Sequence, residues 1–165
     1  MSKKIGIIGA ESTGKSWLGS RLAKMTGGIY IEEYAREYVA GLHTPYVYED
    51  VCEIARVQIE QLTRSYESDY VFFDTELIIT KVWFEDKWGM CPNFLLEALR
   101  ENPIDMYLLC NNDILFEQDS VRENGNRREE LFEWYKKEIE NAGKPYSIIR
   151  GVGEERLLNA YAAIV

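Results

Sequence analysis

The chain has 165 residues, 46% of them hydrophobic, with a formal net charge of −9; this suits one domain that buries about two-thirds of its surface. Neither half of the sequence is basic, which argues against a nucleic-acid footprint, and no stretch reaches the ~18 apolar residues that cross a bilayer. Cys52, Cys91 and Cys110 are odd in number and lack a C-x-x-C pair, which argues against a disulfide framework or zinc site; buried thiols and the absence of a signal-type apolar segment at the N-terminus lead us to expect a cytoplasmic protein.

The first apolar run, residues 5–8, leads directly into Gly9-Ala-Glu-Ser-Thr-Gly-Lys-Ser16, of the form G-x-x-x-x-G-K-[ST]. This is a P-loop: its glycines turn successive N–H groups inward around phosphate, the lysine reaches the β- and γ-phosphates, and the final hydroxyl ligates Mg²⁺. Gly9, Glu11, Ser12, Thr13, Gly14, Lys15, Ser16 and Trp17 are accordingly the candidates to hold ATP. Trp17, Leu18, Leu22 and Met25 continue with helical spacing, so the loop opens a helix whose N-terminal N–H groups add to the anion site.

A second apolar run, residues 29–31, is followed by Glu32-Glu33-Tyr34-Ala35-Arg36-Glu37-Tyr38. A carboxylate here is placed to accept the proton of an attacking substrate hydroxyl. The bland alternative is two solvated acids stabilised at the start of a helix. Arg36 stands three positions from Glu33, a spacing for an ion pair or for contact with substrate. His43, the one histidine, falls in a Gly-Leu-His-Thr-Pro loop and supports neither a triad nor a histidine-rich metal site. From Val51 to Tyr66 apolar residues recur at i, i+3 and i+4, predicting an amphipathic helix.

The third run, 70–73, ends at Asp74, where a Walker-B carboxylate orients Mg²⁺; Asp74 or Thr75 also suits a helix N-cap. We expect Glu32 and Glu33 on the side away from this third strand's contribution. Helical patterns follow over 76–86 and 93–100. After the fourth run, 106–110, come Asn111-Asn112-Asp113 and a turn-rich stretch carrying Arg122, Arg127 and Arg128. These arginines either form a lid that neutralises transition-state charge or begin an exposed surface helix over 127–142, closed by Gly143-Lys144-Pro145. The fifth run, 146–149, precedes a helix from residue 154 to the end.

Strands of nearly continuous apolar character alternating with helices predict an α/β fold, a doubly wound parallel five-stranded sheet in a single domain, 1–165, with an arginine-bearing lid. In such sheets ligands bind beyond the carboxyl ends of the strands. The candidate catalytic set is therefore Lys15, Glu33, Asp74, Arg122 and Arg127, with Ser16 and Asp74 for the metal and Arg128 for ATP. Glu32, Tyr34, Arg36, Tyr38, Thr75 and Trp83 are candidates for substrate contact, Tyr34 and Trp83 being suited to pack on a planar ring.

The P-loop together with Glu-Tyr-Ala-Arg-Glu-Tyr (33–38), Asp-Thr-Glu (74–76), Val82-Trp83, Tyr107-Leu108-Leu109 and Gln118-Asp119-x-x-Arg122 resembles the P-loop kinase domain of NadR-type proteins, the ribosylnicotinamide kinases. The resemblance spans nearly the whole chain. It implies ATP- and Mg²⁺-dependent phosphorylation of the 5′-hydroxyl of nicotinamide riboside, with residues 33–36 facing the riboside and Arg122, Arg127 and Arg128 in the lid. Two departures stand out: the family more often carries Asp-Thr-Asp where this chain has Asp74-Thr75-Glu76, and Trp-x-Gln-Asp-Gly where it has Phe116-Glu117-Gln118-Asp119-Ser120. The alternatives are a kinase for another nucleoside or small alcohol, and a nucleotide-binding regulatory module that transfers no phosphate.

Overall fold

The computed structural model describes residues 1–10, 13–113 and 127–165. Five strands, β1 Lys3–Ile8, β2 Ile29–Ile31, β3 Tyr70–Asp74, β4 Met106–Cys110 and β5 Tyr146–Ile149, form one sheet in the order β2-β3-β1-β4-β5. Every pairing is parallel. The order reverses at β1, so the crevice at a switch point opens where the P-loop begins. The helices are α1 Lys15–Thr26, α2 Tyr34–Ala40, α3 Tyr48–Thr63, α4 Leu77–Trp88, α5 Asn93–Arg100, α6 Arg128–Asn141 and α7 Glu154–Ile164.

The unbroken apolar character of the strands has the expected cause, since helices cover both faces. Ile5, Ile7, Phe72 and Leu108 pack against Leu18 and Leu22 of α1 and Leu157 and Ala160 of α7. Val71, Phe73, Tyr107 and Leu109 face the other way, against α3, α4, α5 and α6. Each fully buried aliphatic side chain here contributes about 1.5–3 kcal/mol relative to an exposed one. Gly19 lets α1 approach β2 closely, because a Cβ at that position would lie 2.7 Å from the Tyr30 ring. That close approach is worth the conformational cost of a glycine inside a helix.

Element boundaries follow the sequence reading with small shifts. The helix read as reaching Tyr66 ends at Thr63, where Arg64 turns to extended backbone. Tyr66 still packs edge-on against Phe73, centroids 6.0 Å apart, and its hydroxyl donates to Gln61 O at 2.5 Å, satisfying a carbonyl near the helix end. Gly143 ends the region of α6 as expected, at φ 69° with its N–H donating to Glu140 O. Among the described residues no helix is long and apolar enough to cross a membrane.

Candidate active site

β1 delivers its chain into the P-loop, and α1 leaves it. A side chain at Gly9 would be crowded, since a Cβ there would lie 3.0 Å from both Cys110 O and Thr13 Oγ1. Thr13 is fully buried and donates to Ala10 O at 2.7 Å, closing the loop on itself. Gly14 takes φ 77° to start α1, a left-handed conformation that glycine adopts without penalty. Lys15 Nζ lies 3.1 Å from both Gly9 O and Ala10 O, across the mouth of the loop. Glu11 and Ser12 lie outside the described residues.

Ser16 Oγ donates to Asp74 Oδ2 at 2.6 Å, and Tyr30 Oη donates to the same oxygen at 2.6 Å. Asp74 is held there because β3 pairs with β1 in a register that sets it beside Ile7. Burial, reinforced by the Asp74 charge, raises the Tyr30 phenol far above its ordinary value, so it stays a donor. Sequence reasoning missed Tyr30, which reads as one more apolar residue of a strand.

The Asp74 and Ser16 oxygens suit a hard cation. Among the described residues no group of three or more His, Cys, Asp or Glu forms a closed metal cage. Two such oxygens fit Mg²⁺, which takes one or two protein ligands and completes its shell with phosphate and water.

Thr75 has φ 67°, the one positive φ outside glycine among the described residues. For a β-branched residue this is a strained conformation, costing about 1–3 kcal/mol. Two bonds hold it: its N–H donates to Ile7 O at 3.0 Å and its Oγ1 donates to Glu33 Oε1 at 3.0 Å. Burial raises the Glu33 carboxyl above the usual carboxylate range; Lys15 opposes this, and the Asp74 charge reinforces it. Glu33 thus stands beside the β3 end rather than across from it, because β2 pairs directly with β3.

The turn at Thr75 also sends the next carboxylate inward. Glu76 accepts from Ile78 N at 2.8 Å and from Tyr107 Oη at 3.1 Å, and Asn102 Nδ2 donates to the same hydroxyl at 2.7 Å. Glu76, and neither Asp74 nor Thr75, is the N-cap of α4. Full burial pushes its carboxyl up to about 7.

A cleft of about 320 Å³ runs from the P-loop along these residues. Lys15, Ser16 and Trp17 lie at one end and Glu33, Arg36 and Thr75 beside them, with Trp83 of α4 and Tyr135 of α6 among the walls. Trp83 meets Tyr46 edge-on at 5.0 Å, and its Nε1 donates to Tyr46 Oη at 3.1 Å. Asp86, one helical turn beyond Trp83, also lines the cleft. Arg127 grips it with two bonds of 2.9 Å each. Asp86 and Tyr46 were not singled out from the sequence, although the i, i+3 relation of Asp86 to Trp83 places both on one helix face.

Other candidates lie elsewhere. Glu32 is exposed and does not line the cleft. Tyr34 packs against Tyr38 at 6.0 Å, and Tyr38 Oη donates to Asp50 Oδ1 at 2.9 Å, tying α2 to α3. Arg128 is half-buried at the start of α6 beyond the cleft walls. Arg122 lies outside the described residues, with the whole of 114–126.

A family model described as AAA domain, AAA_28, matches residues 4–156. The trifunctional NAD biosynthesis/regulator protein NadR of Salmonella typhimurium (strain LT2) is 27% identical over 130 residues, covering 75% of this chain and 32% of that protein; NadR of Escherichia coli (strain K12) gives the same figures. The chain thus spans about a third of the length of these relatives. Among solved structures, a NadR protein in complex with NR superposes with TM-score 0.84 at 21% identity, over 99% of this chain and 50% of that one. A NadR protein with NAD and AMP-PNP gives 0.80 at 21% identity over 99% and 48%. Deoxyadenosine kinase from M. mycoides with bound dATP gives 0.69 at 14% identity over 98% of both chains. The parallel β2-β3-β1-β4-β5 sheet has the P-loop kinase fold of these solved structures, and the chain belongs to the AAA-domain family AAA_28.

Proposed function

We propose that this chain is an ATP-dependent kinase that phosphorylates the 5′-hydroxyl of nicotinamide riboside, giving nicotinamide mononucleotide and ADP. The observation that carries the reading is the placement of the Glu33 carboxylate, held by Thr75, in the same cleft as Lys15 of the P-loop. A base and a phosphate clamp facing one space are what transfer to a hydroxyl requires. Likeness to NadR in sequence and fold supports the acceptor. So do the walls, since a cationic planar pyridinium suits the aromatic Trp83 and Tyr46 and the carboxylates of Glu33 and Asp86.

Lys15 neutralises the β- and γ-phosphates, and the P-loop N–H groups fix them. Ser16 and Asp74 would hold Mg²⁺, which would supply further charge neutralisation on the phosphates. Glu33 orients the acceptor hydroxyl and takes its proton. The hydroxyl oxygen bonds to the γ-phosphorus as the bond from that phosphorus to the β–γ bridging oxygen breaks; ADP departs with that electron pair. Arg127 holds Asp86, a residue of the cleft wall, from the start of α6.

A second reading changes the acceptor to a deoxynucleoside, favoured by the match to deoxyadenosine kinase over nearly its whole length. ADP release with a nucleoside panel, with products weighed by mass spectrometry, separates the two. Nicotinamide mononucleotide as the preferred product supports the first reading; a deoxynucleotide with no nicotinamide product replaces it with the second. Absence of acceptor-dependent turnover with any nucleoside makes the chain a binding module.

A further inference from the structure

Thr75 meets Glu33 from a backbone conformation that a threonine does not adopt unaided. A β-branched residue at positive φ persists only where its surroundings over-determine it, and Thr75, at φ 67°, lies between two anchored neighbours. On one side Asp74 is fixed by Ser16 and Tyr30. On the other side Glu76 enters the core, where it is 1% exposed.

The core is shaped to receive Glu76. Its Oε1 accepts from Ile78 N at 2.8 Å, which caps α4, and its Oε2 accepts from Tyr107 Oη at 3.1 Å. That phenol is wholly buried and accepts in turn from Asn102 Nδ2 at 2.7 Å. Asn102 is itself tied down, its Oδ1 accepting from Ile104 N at 3.0 Å and its carbonyl from Lys144 Nζ at 2.9 Å. A chain of bonds therefore starts in the connection between α5 and β4 and ends at the residue after Thr75. It crosses β1 at Gly6, where a Cβ would lie 2.8 Å from the Tyr107 ring and 3.4 Å from Glu76 Cγ.

A helix cap alone does not call for this arrangement. Short side chains such as Asp, Asn or Ser satisfy the first N–H groups of a helix, and a carboxyl group taken into a core is costly unless its bonds are made there. What the longer side chain adds is a second attachment, to β4 on the far side of β1. Thr75 is thereby pinned from both flanks. The pinning has a chemical consequence, because Thr75 Oγ1 lies 3.0 Å from Glu33 Oε1 and 3.4 Å from Asp74 Oδ1. A small rotation of the turn decides which of the two carboxylates its single proton serves.

We propose that Glu76 and Tyr107 are positioning residues for the Glu33 carboxylate, acting through the turn at Thr75. This rests on Glu33 being the acceptor-side base of a kinase. Neither Glu76 nor Tyr107 lines the cleft; they set the direction of the Thr75 hydroxyl, and the hydroxyl sets the direction of the base.

The test is a double-mutant cycle on the full chain, read as kcat for ADP release with ATP and nicotinamide riboside, or with the nucleoside that replaces it in the panel. Tyr107→Phe removes the hydroxyl and keeps the buried ring. It is expected to lower kcat about tenfold with the KM for ATP held within about twofold, because a slightly misplaced catalytic group is costly. In a Glu33→Gln background the same substitution is expected to change kcat by less than about twofold, since the group being positioned is gone. Glu76→Asp keeps a capping carboxylate but withdraws it from Tyr107; it is expected to give the same pair of results and decides the matter where Tyr107→Phe folds poorly. An equal loss of kcat in both backgrounds, or an unchanged kcat in the wild-type background whatever the melting temperature, makes the chain of bonds structural only: it overturns the proposal and leaves the kinase reading standing. A wild-type chain with no acceptor-dependent turnover overturns both.

Discussion

Tyr30 and Asp74, forty-four positions apart in the chain, are joined by a 2.6 Å bond from the phenol to the carboxylate oxygen that Ser16 also contacts. The bond depends on Gly19, whose missing side chain makes room for the Tyr30 ring. Tyr30→Phe leaves Asp74 Oδ2 with Ser16 and removes a bond to a charged group, a loss that typically costs about 1.5–3 kcal/mol. The expected result is a modest fall in melting temperature and a rise in the Mg²⁺ concentration for half-maximal activity. Unchanged Mg²⁺ dependence would show that the phenol does not orient the carboxylate.

Glu33 is the acceptor-side base in the proposed mechanism. Glu33→Gln keeps the bond from Thr75 and removes the proton acceptor, so turnover is expected to fall by about 10²–10⁴-fold with AMP-PNP affinity preserved. Because burial raises its carboxyl above the usual range, wild-type kcat is expected to climb with pH through a value above that of an exposed glutamate. The limb disappears in the variant. A pH profile that keeps this limb after the substitution assigns the base elsewhere.

Glu76 makes a stability prediction. Full burial raises its carboxyl from 4.5 to about 7, so the native state holds a proton that the unfolded chain has already released across that window. Stability from this group is complete below about pH 4.5, declines as pH rises toward 7, and is level above it. Glu76→Gln is expected to gain on wild type by about 2–3 kcal/mol between pH 5 and pH 8, read from denaturation midpoints. A pH-independent difference would mean that Glu76 titrates normally.

Arg127 braces α6 against α4 through Asp86, whose carboxyl it holds below the ordinary range. Lys81 adds a second brace to Glu138 at 2.7 Å. Arg127→Met is expected to cost about 1 kcal/mol or less in stability, as befits a partly exposed pair, but to raise the acceptor KM several-fold by loosening the cleft wall that carries Trp83. Equal effects on the KM for ATP and for acceptor would argue against this division.

Much of the fold was legible because parallel strands covered on both faces advertise themselves as unbroken apolar runs, and all five runs are strands. The P-loop and Asp74 were legible because a glycine-spaced motif and a carboxylate closing an apolar run have few other meanings. Strand order was less so: with β2 beside β3, Glu33 falls next to Thr75, a relation that local spacing does not encode. Nor does Asp-Thr-Glu reveal that Asp74 meets Ser16 of the P-loop while Glu76 turns to Tyr107 in the core. That is decided by the positive φ at Thr75 and by Tyr107 waiting on β4. Arg156 was invisible for the same reason, since its carbonyl partners, Asn111 after β4 and Ile149 and Gly151 at the end of β5, converge from two separate connections.

The central place of β1 has a consequence for how such a chain diversifies. Apart from the P-loop itself, the cleft walls come mostly from the continuous stretch 29–88, together with two positions on α6. In the proposed kinase, acceptor choice is thus written mostly in one continuous stretch that adjoins the P-loop. Exchanging 29–88 with a relative of different acceptor preference is then expected to carry much of that preference with it.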